Sequence, residues 1–79
     1  MFDPDEIEID WHAVTDRLEA AIAARGLEHE PGARDAVAFC RRCATIGEPL
    51  GEFMRRPGPL LDFCTRCGLS PDAILLSHQ

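Results

Sequence analysis

Apolar positions along the chain recur first at a helical period. Between Asp10 and Gly26, Trp11, Val14, Leu18 and Ile22, with Ala21, return at steps of three and four, which lays one stripe along a helix. The flanks predict its ends. Asp10 suits the N-cap, where its carboxylate also meets the positive end of the helix dipole, and Gly26 suits the residue just past the last turn. Ile9 before the cap and Val14 inside the helix would form a hydrophobic staple. Leu27 to Gly32, punctuated by Pro31 and Gly32, predicts a turn or linker.

Further on, two periods compete. Ala36, Val37, Phe39 and Cys40 suit a short helix begun near Pro31, whereas Val37 and Phe39 alternate as in a strand; the helix is preferred. Gly47, Pro49, Gly51, Pro57, Gly58 and Pro59 leave room for short extended pieces around Leu50 to Met54 and Leu60 to Phe63. These predict a small β-hairpin. At the far end Ser70 can cap, Pro71 takes the first helical position with Asp72 next, and Ala73 to Ser77 continue a short helix.

Chain length raises the question of what stabilises this layout. A chain of 79 residues buries only about 60% of the surface its unfolded form exposes, so an extra constraint is expected. Cysteine supplies one. Cys40 and Cys43, then Cys64 and Cys67, form two CxxC pairs with twenty residues between them, at the long end of the spacing of a four-thiolate zinc site. In such a site each pair sits on a knuckle, and a chain reversal brings four sulfurs to about 2.3 Å from one Zn2+. Two disulfides would need an oxidising compartment, and rubredoxin-like iron would take the same four ligands. The expected fold is a small metal-stabilised α+β domain with an N-terminal amphipathic helix, a four-cysteine zinc finger carrying the short β-hairpin, and a short C-terminal helix. It divides into an acidic N-terminal arm at 1–9, the amphipathic helix and linker at 10–32, and the four-cysteine zinc-finger module at 33–79.

Charge is unevenly placed. Residues 1–39 hold ten acids against three arginines, a net −7, while residues 40–79 hold five arginines against four acids, a net +1. An acidic half repels phosphate backbones and favours a partner with a basic surface. Asp3, Asp5, Glu6, Glu8 and Asp10 would give the arm its charge, with Ile7 and Ile9 as apolar anchors. Arg41, Arg42 and Arg66 would offset the thiolate charge of a metal site. With Arg55 and Arg56 they would also form the patch of the alternative reading, a nucleic-acid-binding zinc finger. His12, His29 and His78 stand apart in sequence, and only His78 is placed to substitute for a thiolate. Neither a nucleophile with its base nor a phosphate-cradling glycine loop is evident, so no catalysis is expected. The acidic start lacks the basic and apolar stretches of a secretory leader, and no run approaches membrane-spanning length, so a cytoplasmic location is expected.

The stretch from Cys40 to Cys67 resembles treble-clef and zinc-ribbon modules. The whole outline, an acidic helix followed by a four-cysteine finger and a last helix, is similar to the DksA/TraR-type transcription regulators. That resemblance implies a non-catalytic zinc-binding adaptor or regulator acting on a larger assembly, with RNA polymerase as the partner it suggests.

Overall fold

The computed structural model describes residues 8–75. Within them five helices follow in order: α1 (Trp11–Arg25), α2 (Ala33–Ile46), α3 (Leu50–Arg55), α4 (Gly58–Cys67) and α5 (Pro71–Leu75). Among the described residues there is no strand, only an isolated antiparallel bridge between Glu8 and Pro49. The acidic residues Asp3, Asp5 and Glu6, with Ile7, lie outside the described residues, as does the end of the last predicted helix beyond Leu75.

α1 forms as its pattern dictates. Asp10 Oδ1 accepts from the Ala13 amide at 3.2 Å, and Gly26 closes the helix with φ +66°. The stripe Trp11, Val14, Leu18 and Ile22 is buried, and Ile9 packs on the same core. Thr15 is the one polar residue buried with them, and its hydroxyl donates to the Trp11 carbonyl at 2.7 Å. That internal bond removes the cost of hiding a hydroxyl from water.

The α+β expectation is corrected by the second half of the chain, which is helical throughout. The segments assigned to a β-hairpin are α3 and the middle of α4. The prolines there fall where a helix tolerates them. Pro49 caps α3, and Pro59 lies in the first turn of α4, where a missing amide costs no helical hydrogen bond. Leu60, Phe63, Cys64 and Cys67 then follow at helical steps, and the first three are buried.

α2 is the central element. It packs against both α1 and α4, while α5 packs against α1 and α4. Its buried stripe is Ala33, Ala36, Cys40 and Cys43, a row of small side chains that lets neighbouring backbones approach. Bulk comes from elsewhere. The indole of Trp11 meets Phe53 edge-on at 5.4 Å between ring centres and Phe39 at 6.4 Å, a geometry that sets ring edge against ring face. Phe63 and Leu60 of α4 fill the rest of the interior. Each such large apolar side chain contributes roughly 1.5–3 kcal/mol by leaving water.

Candidate metal centre

The cysteine pairs sit on helices, not on knuckles. Cys40 and Cys43 lie in the last two turns of α2, and Cys64 and Cys67 end α4. On a helix, residues three apart share a face, so each pair presents both thiols on one side. For α2 and α4 that side is the inner one. Cys40 and Cys64 are fully buried, Cys43 is 2% exposed, and Cys67 is half-buried.

Helix ends explain the placement. The Gly68 amide donates to the Thr65 carbonyl at 3.4 Å and the Leu69 amide to the Cys64 carbonyl at 2.8 Å, the paired bonds of a Schellman turn. At the end of α2, the Gly47 and Glu48 amides both donate to the Cys43 carbonyl, at 2.8 and 3.1 Å. Cys43 and Cys64 therefore occupy equivalent positions before a glycine stop. Each pair also belongs to a repeated stretch, Phe39-Cys40-Arg41-Arg42-Cys43 and Phe63-Cys64-Thr65-Arg66-Cys67.

The thiols sense one another across the helix interface. Burial pushes the Cys40 thiol up to about 12, and the neighbouring Cys43 and Cys64 thiols add to the effect. Burial pushes Cys43 up to about 11, Glu48 raises it further, and Arg42 pulls the other way. Cys64 is also raised, by burial and then by Cys67. Cys40 thus senses Cys43 on its own helix and Cys64 across the interface. Protonated, buried thiols are poor nucleophiles, which argues against a reactive dithiol.

All four side chains are thiols, the donor type that a soft metal ion prefers. They do not stand as a finished coordination set. Among the described residues no three His, Cys, Asp or Glu side chains are gathered closely enough to hold an ion.

The other expected residues are dispersed. Arg41 reaches Glu19 on α1 at 3.1 Å, and Arg66 pairs with Asp62 at 3.4 Å while donating to the Pro31 carbonyl at 3.1 Å. Arg42, within the first pair, favours the thiolate of Cys43. Arg55 pairs with Glu52 at 3.0 Å along α3. His12 is exposed beside a polar hollow of about 550 Å³ with Asp16 and Glu19, His29 is exposed, and His78 lies outside the described residues. A shallow groove of about 510 Å³ floored by Ile22, Ala33 and Val37 runs between α1 and α2, and no cysteine lines it.

Glu48 and Leu69 were missed by the sequence reading, although both follow the glycine that ends a helix. The cysteines' helical setting was also legible in principle, because Ala33, Ala36, Cys40 and Cys43 continue an apolar stripe if cysteine is counted as the small hydrophobe it resembles. Among the described residues no helix is long and apolar enough to cross a membrane. No family model, curated protein or solved structure matches this chain, so the character of the centre rests on its own residues.

Proposed function

We propose that this protein is a small helical metal-binding module in which Cys40, Cys43, Cys64 and Cys67 take a single Zn2+ between α2 and α4. The observation that carries this reading is the placement of both CxxC pairs on facing helices, with Cys40 and Cys64 fully buried opposite each other. Four thiolates would satisfy a tetrahedral ion and leave no position for substrate, so the metal's role is to join helices rather than to catalyse. Such a module acts by binding. Asp16, Glu19, Glu28 and Glu30 are exposed along and after α1, which supports a protein partner with a basic surface. RNA polymerase as that partner rests on the resemblance of layout alone.

Reduced full-length protein, titrated with Co2+ as a spectroscopic stand-in, is expected to develop intense sulfur-to-cobalt absorption that Zn2+ abolishes. Elemental analysis of the protein as purified is expected to give zinc at one ion per chain. Absence of thiolate bands, or undiminished binding after Cys40→Ser with Cys64→Ser, would overturn the assignment; a red protein carrying iron would replace zinc with an electron-transfer centre.

A further inference from the structure

The groove between α1 and α2 sorts its charges by side. Its lining residues all come from α1, α2 and the turn between them. Trp11 meets Glu48 and Glu19 meets Arg41, so the two helices run antiparallel. Along the α2 bank, Arg34 and Arg41 stand on one face with Ala38 between them, at helical steps of four and three. Along the other bank, Glu19 and Ala23 lie one turn apart on α1, and Glu28 follows in the turn. These six residues are exposed, while the floor between them is apolar, with Ile22 buried and Val37 half-buried. One bank is therefore acidic and the other basic, and the alanines keep both low enough for another pair of helices to approach.

We propose that this face pairs with a second copy of the chain. The proposal rests on the reading above only in giving the α1 acids a basic partner, and it is independent of any metal. A two-fold axis parallel to the groove lays the acidic bank of each copy over the basic bank of the other. Position along the groove is kept by that operation, so Glu19 meets the partner's Arg41, Glu28 meets the partner's Arg34, and each pair occurs twice. An axis across the groove would set acid on acid and arginine on arginine. The charge pattern thus selects one arrangement, an antiparallel four-helix bundle with Ile22, Ala23, Val37 and Ala38 at its seam. Glu19 and Arg41 already pair within one chain, yet their side chains remain 46% and 67% exposed, and a guanidinium has donors to spare for a second carboxylate. α1 has 15 residues and is about 22 Å long, and two helices side by side are about 20 Å wide. Such a face is smaller than the roughly 800 Å² per partner of a standard interface, so the dimer is weak, dissociating at about 10–100 µM.

Sedimentation equilibrium of the full chain tests this at about 0.15 M salt, where repulsion between two chains of net charge −6 is screened beyond about 8 Å. Monomer and dimer are expected in equilibrium, with dimer prevailing by about 200 µM. Two double variants, Arg34→Glu with Arg41→Glu and Glu19→Arg with Glu28→Arg, are each expected to associate at least about tenfold more weakly, because both banks of a copy then carry one sign. Mixed in equal amounts they are expected to form a heterodimer, since every contact is again complementary. Each double reversal shifts the formal −6 by four charges, so both variants stay net negative and general attraction does not explain their pairing. The reversals touch exposed ion pairs, which contribute little to folding. Far-UV circular dichroism confirms that each variant is folded, and the wild-type measurement requires no variant. A wild-type chain still monomeric at about 1 mM, a dimer that both variants retain, or variants that stay monomeric when mixed would overturn the proposal. Any of these results leaves the metal centre standing, and the Co2+ titration decides that centre separately.

Discussion

The indole Nε1 of Trp11 donates a 2.7 Å hydrogen bond to the backbone carbonyl of Glu48, joining the first turn of α1 to the residue that closes α2. The same Glu48 donates its amide to the Cys43 carbonyl, so one residue fastens both the aromatic cluster and the end of the first cysteine-bearing helix. Trp11→Phe keeps most of the apolar volume and removes the donor. Leaving a partly buried carbonyl unpaired is expected to cost about 1–3 kcal/mol, measurable as a lower urea midpoint with an unchanged slope.

Arg17 performs a comparable task at the other end of the molecule. Its Nε donates to the Ile74 carbonyl at 2.6 Å and its Nη2 to the Leu75 carbonyl at 3.1 Å, and these are among the carbonyls a short helix leaves without partners. Arg17→Met preserves the aliphatic stem and deletes both donors. Amide exchange across α5 is expected to rise while exchange in α2 and α4 stays near wild type; unchanged protection in α5 would show that α5 is held by Ile74 packing alone.

Gly58 and Gly26 separate two kinds of glycine requirement. Both have positive φ, +59° and +66°, but a Cβ at Gly58 would come within 2.9 Å of Phe39 Cε2, whereas at Gly26 nothing lies within 4 Å. Phe39 is itself packed against Trp11 and Phe53 and has little room to yield. Gly26→Ala is expected to cost about 1 kcal/mol from backbone strain, and Gly58→Ala to add about 1–3 kcal/mol of overpacking. Equal melting temperatures for the two variants would refute the difference.

The buried thiols make the metal-free protein sensitive to alkali. Cys40 is raised from 9.0 to about 12 and Cys43 from 9.0 to about 11, in both cases chiefly by burial, so the folded state holds these protons more tightly than the unfolded state does. Their contribution is complete below pH 9.0 and is lost as pH climbs towards 11 and then 12. Within that window stability is expected to fall by about 1.4 kcal/mol per pH unit for each such thiol. Cys40→Ala should flatten the decline in chemical denaturation above pH 9.0, and an identical slope would contradict the assignment.

Zinc is expected to stabilise the folded chain by mass action. At about a thousandfold over its dissociation constant the gain is about 4 kcal/mol, read as a rise in melting temperature that a chelator reverses. Cys64→Ser should lose most of that rise.

The sequence by itself determined α1 and its ends, because those features are local: an apolar stripe at helical spacing, a carboxylate able to cap, and a glycine able to adopt positive φ. It also marked Ser70 and Pro71 as the start of the last helix, where Ser70 Oγ accepts from the Ala73 amide at 3.4 Å. Tertiary structure decided the middle of the chain. Leu50 to Phe63 carries short apolar runs between prolines and glycines that predict a hairpin, and burial of Phe53, Leu60 and Phe63 in the shared core goes with two short helices instead. It also set the surroundings of the cysteines. CxxC spacing brings two sulfurs together on a knuckle or on a helix face alike, and the packing of α2 on α4 is what put Cys40 opposite Cys64 and left Cys67 at the rim.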